Sequence, residues 1–584
     1  MANISGFRQT STKMSKQHFK VCFCFNRMFR LNVAEAPEEI KNIFDMYSYN
    51  GHMSMEGLYN FLVQIQGEKS GDATMKHAQD IFDSLKHLHI FQRKVLQFEA
   101  FFRYLLSDRN GPLTEVHHDM NFPLAHYFLY TGHNSYLTGN QFSSKSSTSP
   151  IIKALKKGVR VIELDLWPNS KGDGVEVRHG GTMTSSVKLK DCLFAIKDHA
   201  FHASPYPVII TFEDHITPYL QAKVAKMVDH IFRGMLFRPD SQLKEFPSPE
   251  SLKGKFLIST KPPESPENQI QKVQEEEGER LDDRDDRIGA NHKDESDNPS
   301  EDDDPLGYKN IISVHAGKPK GKVENWLMNH DQVRRLSLSE QMLEDITKTC
   351  ATDIVRFTQR NLLRIYPKGA RLDSSNYDPM TGWMHGAQMV AFNMQGHGHY
   401  LRYMEGMFRA NNGYGYVKKP DILLNVGPNN EVYDPRVIRP VRKNLQVLVY
   451  MGDGWHSDFH QTHFDFYSPP DFQVKISIHG VPADKYTKTT RIVQNEWVPV
   501  WNEEFNFPLT FPELALLYIK VIECDISGQH DFAGQTCLPV FELKEGIHAV
   551  RLCDRKGEVY KSARLLIHFR FSDYGANDIH SDII

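Results

Sequence analysis

The 584-residue chain lacks any charge imbalance that would name a partner, since 69 Lys and Arg stand against 73 Asp and Glu for a formal net charge of -4. Global attraction to nucleic acid or to anionic lipid is excluded, so any membrane affinity must come from local patches or a bound cation. Cysteine is scarce: seven residues, an odd number with no CxxC pair, which points to reduced thiols and not to a disulfide framework. No apolar run is long enough to span a bilayer. The opening Met1-Ala-Asn-Ile-Ser-Gly-Phe-Arg8 has no signal-peptide core, and position 2 is not the glycine that myristoylation requires. There is no GxSxG elbow, no P-loop ending in GK[ST] and no HExxH, which removes the commonest esterase, NTPase and zinc-protease readings.

What is present is an ordinary soluble composition, 40% hydrophobic and 24% charged, in a chain too long for one core. Three or four domains are expected. Glu38–Phe44, Gly57–Leu62 and Phe98–Leu106 place apolar residues at three- and four-residue spacing and predict helices. Between the first two, Asp45–Glu56 has the length and end acids of an EF-hand loop. Tyr47 and Tyr49 stand where metal ligands belong and Gly51 falls one place late, so the expectation is an EF-hand-like helical scaffold with weak or absent metal binding. Cys22 and Cys24, in an apolar segment with basic flanks, are open either to acylation or to burial in this domain. From Leu124 to about Pro263 strand-like and helical stretches alternate, as in half of an α/β barrel. Gln274 to Asp304 is dense in acid and nearly free of large apolar residues, the pattern of a disordered linker. Patterned sequence resumes near Val323. After about Pro440, Leu445–Tyr450, Phe472–Ile478, Leu516–Ile522 and Leu565–Phe571 read as strands of a β-sandwich.

One constellation carries the chemistry. In Val159–Trp167 a period of two puts Val161, Glu163 and Asp165 on one face and Ile162, Leu164 and Leu166 on the other, so two carboxylates converge. Pro207–Glu213 repeats the design with an apolar strand ending in an acid. With His133-Asn134 and His179-Gly180, these residues offer two imidazoles and several hard oxygen donors at strand ends, an inventory suited to calcium-assisted chemistry on a phosphate ester. In a parallel barrel such positions face the catalytic mouth. Any one of them alone reads as a solvated strand end or a satisfied loop histidine.

Together with their order along the chain, these residues resemble the eukaryotic phosphoinositide-specific phospholipases C, in the short plant-type form without a pleckstrin domain. Thr131–Leu137, Ile162–Trp167, Arg178–Thr182 and Ser204–Ile209 are similar to the family's X half-barrel; Arg364–Pro367, Asp373–Tyr377 and Asn412–Val417 are similar to its Y half. Ser468–Asp471, Pro499–Trp501 and Asp531–Gln535 resemble its C2 domain. The resemblance implies a flexible N-terminus at 1–19, an EF-hand-like helical domain at 20–112, and a TIM-like barrel split into X (113–263) and Y (321–440) halves around an acidic linker at 264–320. An all-β C2 sandwich at 441–573 and a tail at 574–584 would follow.

The activity so implied is calcium-dependent hydrolysis of phosphatidylinositol 4,5-bisphosphate to diacylglycerol and inositol 1,4,5-trisphosphate through a cyclic phosphodiester. The expected location is cytosolic, peripheral on the cytoplasmic face of the plasma membrane. Carried over by position, Asn134, Glu163, Asp165 and Glu213 would ligate Ca2+. Glu163 or Glu213 would act as general base, His133 would stabilise phosphoryl charge, and His179 would serve as acid and then base. Lys261, Ser337, Arg364 and Tyr366 would read the head group; Arg364 could instead be a salt bridge closing the barrel. Ser259 stands where animal relatives have a second lysine. Phe142 and Met183 match membrane-dipping rim positions, or are buried. Asp465, Asp471, Glu523, Asp525 and Asp531 would form C2 calcium sites, although Gln494 and Glu523 depart from the usual Asn and Asp. Two rival readings are a catalytically silent calcium-dependent phosphoinositide-binding scaffold and a glycerophosphodiesterase. Retention of both histidines and all four ligands argues against the first, and the split barrel with its C2-like partner against the second.

Overall fold

The computed structural model describes residues 16–22, 25–30, 36–85, 95–115, 117–263, 305–317, 323–328, 331–525, 528 and 530–573. The acidic stretch from Gln274 to Asp304, Cys24 and the tail 574–584 lie outside them. The chain divides into two compact units, residues Glu115–Ile438 and residues Met1–Thr114 with Arg439–Ile584.

In the first unit eight parallel strands close a barrel. They are β1 Thr131–Gly132, β2 Val161–Pro168, β3 Val208–Asp214, β4 Phe256–Thr260, β5 Ile312–Gly317, β6 Arg335–Ser339, β7 Leu362–Tyr366 and β8 Met389–Phe392. Closure is made where β8 pairs with β1 and β2 with β3. Crossover helices start where the sequence supplies caps. The Thr217 hydroxyl accepts from Leu220 N with Pro218 in the first turn of Pro218–Phe232, and the Ser339 hydroxyl accepts from Met342 N ahead of Glu340–Thr358. Deep in the barrel, Val161, Ile209, Leu257, Val314, Leu362 and Met389 belong to one buried apolar cluster. Because every strand runs the same way, period-two alternation carries the polar members of the same faces to one end.

The second unit joins the helices Glu38–Met46, Met55–Gln64, Asp72–Leu85 and Phe98–Leu105 to an antiparallel sandwich. Four strands on each side are linked through a single residue pair, Gln535 with Cys553. Helices and sandwich share a core in which Phe44, Phe61, Phe101 and Leu105 pack with Tyr450, Met451, Val498, Ile547 and Leu566. Gln66 fastens the two parts: its amide donates to Ile547 O at 2.9 Å while its carbonyl accepts from Ile547 N at 2.6 Å.

Two local outcomes differ from the helical expectation. Lys16–Cys22 and Phe25–Arg30 pair as antiparallel strands, each carrying β-forming residues such as Phe19 and Val21 in the first and Phe25 and Phe29 in the second. In the EF-hand-like loop, Asn50 (φ 50°) and Gly51 (φ 74°) turn a short hairpin between Ser48–Tyr49 and His52–Met53. Two consecutive positive φ values are the signature of the turn that the tightest hairpins use, so this stretch closes as a short strand pair.

Candidate active site

The barrel mouth collects side chains from the ends of several strands and two loops. β2 presents Glu163 and Asp165, both buried, and β3 presents Glu213, whose side chain is 45% exposed. Register sets Thr211 beside Glu163 and Glu213 beside Asp165. One ligand oxygen from each of the three acids lies within 4.8 Å of the other two, the one such set of His, Cys, Asp and Glu among the described residues. Glu163 Oε2 and Asp165 Oδ1 are buried with no hydrogen-bond partner. Burial, then Glu213 and Glu163, push the Asp165 carboxyl well above the usual carboxylate range; burial and then Glu163 push Glu213 up as well. Three crowded carboxyls with orphaned oxygens are a site short of positive charge.

Arg364 on β7 partly supplies it, through a short contact from Nη2 to Glu163 Oε1 and a 3.8 Å approach of Nη1 to Glu213 Oε1. Burial pulls its guanidinium down, but Glu163 and Glu213 more than offset this and hold it above its ordinary value. Arg364 thus makes its ion pairs inside the mouth, among the acids. Its guanidinium also lies 5.2 Å from the Tyr366 ring centroid. Ser337 pairs in register with Arg364, and Lys261 is exposed just beyond the end of β4.

The loop after β1 carries His133 and Asn134, the latter buried with φ 43°. Asn134 Nδ2 donates to Gln141 Oε1 at 3.0 Å, which leaves its Oδ1 as the donor for an ion. Gln141 Nε2 donates to Asn393 Oδ1 at 2.9 Å, and the same oxygen accepts from His133 Nδ1 at 2.9 Å. The main-chain carbonyl of Gln141 accepts from His179 Nδ1 at 2.8 Å. Gln141 thereby orients the Asn134 amide and the His179 imidazole directly, and Asn393, which it also bonds, orients His133. Each histidine is held as the Nδ1–H tautomer with Nε2 toward the mouth. Burial and then Arg364 lower the His133 pKa to about 4, so its Nε2 is an acceptor at neutral pH.

Gln141 and Asn393 are functional positions that the sequence reading passes over. Asn393 is findable as a polar residue directly after an apolar strand, Met389–Phe392. Gln141 follows His133-Asn134 without any periodic signal. Phe142 and Met183 are 41% and 68% exposed and adjoin, Met183 N donating to Phe142 O at 2.8 Å.

In the sandwich, Phe472 sits opposite Glu523, and Glu523 opposite Asp531, on adjacent strands. Asp471 Oδ1 accepts from Asn495 N at 2.7 Å, and Asp465 accepts from Tyr467 N at 2.8 Å. Burial, then Asp471, Asp531 and Asp465, raise Glu523 to about 7, and its Oε2 is buried without a partner. These acids with Asp525 influence one another but do not form a set of three within 4.8 Å.

Comparison with known proteins decides the family. Models of the phosphatidylinositol-specific phospholipase C X domain, its Y domain and the C2 domain match residues 120–262, 313–422 and 443–552. Phosphoinositide phospholipase C 2 of Arabidopsis thaliana is 53% identical over 584 residues, covering 96% of this chain and 100% of the relative.

The chain belongs to the phosphoinositide-specific phospholipase C family.

The phospholipase is also 32% identical over 551 residues to the mouse 1-phosphatidylinositol 4,5-bisphosphate phosphodiesterase delta-3, covering 92% of this chain and 68% of that protein. The crystal structure of L. pealei PLC21 superposes with a TM-score of 0.72 at 24% identity, over 92% of this chain and 69% of that one, a likeness of fold. Among the described residues no helix is long and apolar enough to cross a membrane.

Proposed function

We propose that this phospholipase C hydrolyses phosphatidylinositol 4,5-bisphosphate with calcium, releasing diacylglycerol and inositol 1,4,5-trisphosphate by way of a cyclic phosphodiester. The observation that carries the reading is the acid set Glu163, Asp165 and Glu213, with two orphaned oxygens, facing two histidines of fixed tautomer. The donors are all oxygen, which fits a hard cation held by Asn134, Glu163, Asp165 and Glu213. When bound, calcium supplies Lewis acidity that lowers the pKa of an inositol hydroxyl and offsets charge on the phosphate.

The chain's own residues do the rest. Glu213, open to the mouth while Glu163 is buried against Arg364, takes the proton of the 2-hydroxyl as its oxygen attacks phosphorus. His133, charged once the phosphate is in place, donates from Nε2 to a phosphoryl oxygen. Protonated His179 gives its Nε2 proton to the departing glycerol oxygen while Nδ1–H stays on Gln141 O. In the second half Nε2 takes a proton from the water that opens the ring, and Glu213 returns its proton to the 2-oxygen, restoring both groups. Lys261, Ser337, Arg364 and Tyr366 hold the phosphorylated ring.

Phe142 and Met183 enter the lipid surface, and Asp465, Asp471, Glu523, Asp525 and Asp531 bind calcium that bridges to anionic headgroups, with Phe466 and Tyr467 exposed at 70% and 58% beside them. The enzyme then acts as a peripheral protein on the cytoplasmic face of the plasma membrane. Product analysis tests the reading: phosphatidylinositol 4,5-bisphosphate vesicles with calcium should yield diacylglycerol and inositol trisphosphate. Vesicle binding without either product would favour the silent scaffold.

A further inference from the structure

At the level of Glu163 the barrel holds a cation that the mechanism above does not use. Arg335 is 5% exposed and projects from β6 into the lumen on the same strand face as Ser337. Among the described residues its guanidinium makes one hydrogen bond, Nη1 to Thr211 Oγ1 at 3.2 Å on β3, and no ion pair. Its Nε is buried without a partner. An unpaired charge in a barrel core is costly unless something in the working protein answers it.

The hydrogen bond fixes where the guanidinium lies. Thr211 is in register with Glu163 on one side and with Ser259 on the other. Ser259 is fully buried, and its Oγ also has no partner. Arg335 Nε and Ser259 Oγ are thus two buried groups without partners, on residues that both adjoin Thr211. Glu163 and Glu213 attract Arg335 through space, but Arg364 already pairs with both. Burial and then Arg364 lower Arg335 to about 10, so it remains a cation at neutral pH. Position 259 itself carries a hydroxyl, which leaves Arg335 as the charge at this depth.

We propose that Arg335 is a specificity-determining residue whose guanidinium, with the Ser259 hydroxyl, binds a phosphate on the inositol ring, so that the enzyme favours phosphorylated over unphosphorylated head groups. The inference rests on the barrel being a phosphoinositide site. The expected size follows from a charge-assisted hydrogen bond made only by the phosphorylated ring, roughly ten- to a hundredfold in relative kcat/KM.

The test measures kcat/KM for phosphatidylinositol 4,5-bisphosphate and for phosphatidylinositol, in mixed micelles with calcium, for wild type, Arg335→Met and Arg335→Met/Ser259→Lys. In Arg335→Met the loss on the bisphosphate should exceed the loss on phosphatidylinositol at least about tenfold, and the double variant should bring the ratio back to within about threefold of wild type. Equal losses on both lipids, or an unchanged ratio, overturn the proposal. If Arg335→Met does not fold, the double variant decides. A folded double with a near-wild-type ratio supports the assignment; one that also fails to fold, or treats both lipids alike, places Arg335 in the barrel core and overturns it. A wild-type protein that hydrolyses neither lipid would remove the functional reading itself, a result distinct from an unchanged ratio in the variants.

Discussion

Gly180→Ala should inactivate the enzyme through a neighbour that touches no substrate. A Cβ at Gly180 would stand 2.1 Å from Trp167 Cζ2, 2.7 Å from Cε2 and 2.9 Å from Cη2. Carbon atoms pack at about 3.5–4.0 Å, so the closest approach falls short by more than about 1 Å and one partner must move. The indole is held on its faces: the His215 ring stacks at 4.2 Å with 14° between planes, and the Arg178 guanidinium lies 5.1 Å from the centroid. The main chain at 180 therefore gives way and carries His179 with it, stretching the 2.8 Å bond from Nδ1 to Gln141 O. A displacement of about 1 Å at a reacting group costs on the order of a hundredfold in rate, and overpacking of this kind costs about 1–3 kcal/mol of stability. Turnover on micellar phosphoinositide and thermal melting read the two effects separately. Trp167→Leu opens the space, so in that background Gly180→Ala should cost less than about threefold. Full activity in Gly180→Ala, or a loss of about a hundredfold from the same change when Trp167→Leu is already present, would refute the reasoning.

Three further outcomes are expected. His133→Gln or His179→Gln should each lower turnover by about two to four orders of magnitude with an unchanged melting curve, because both act on the phosphate and not on packing. Asn393→Leu removes the acceptor of His133 Nδ1–H and should lower kcat at least about tenfold with little change in KM, whereas a purely structural loss would shift the melting curve instead. Buried His385, His548 and His568 are each held near pKa 4 by burial, below the 6.5 of an exposed histidine. The unfolded chain thus binds protons that the native one refuses, so their stabilisation is full above about pH 6.5 and is lost as pH falls toward about 4, by at most roughly 1.4 kcal/mol per pH unit for each. The raised carboxyls of Asp165, Glu213 and Glu523 act in the opposite sense, so the test is differential. The change in urea midpoint from about pH 7 to about pH 5 should be less unfavourable in His385→Gln than in wild type, and an identical change would contradict it.

The barrel was legible because its signal is local. A strand such as Val161–Pro168 announces both its apolar face and its acid face by alternation, and the parallel topology then needs no further information to bring Glu163, Asp165 and Glu213 together. The long-range consequences were not legible. That Arg364 would spend its charge on Glu163, 201 positions away, depends on barrel closure, which no window of sequence contains. Likewise the shared core of Phe101 and Ile547 merges two stretches that read as separate domains, since each has enough apolar residues to be plausible alone. Gln141 eluded the sequence for a different reason: its importance lies in what its amide and carbonyl connect, and glutamine has no periodic or motif signature. The Asn50-Gly51 turn, by contrast, was a short-range hairpin signal overshadowed by the stronger outline of an EF-hand loop.

The most direct test of the metal-assisted barrel is the calcium dependence of phosphatidylinositol 4,5-bisphosphate hydrolysis in detergent micelles, compared for wild type, Glu163→Gln and Asp471→Asn/Asp525→Asn. Wild type should require calcium, Glu163→Gln should be inactive at every calcium concentration while still binding vesicles, and the sandwich double variant should keep micellar turnover while losing calcium-dependent vesicle binding. Hydrolysis that persists in excess chelator, or a sandwich variant as inactive in micelles as Glu163→Gln, would contradict the assignment of the chemistry to Glu163, Asp165 and Glu213.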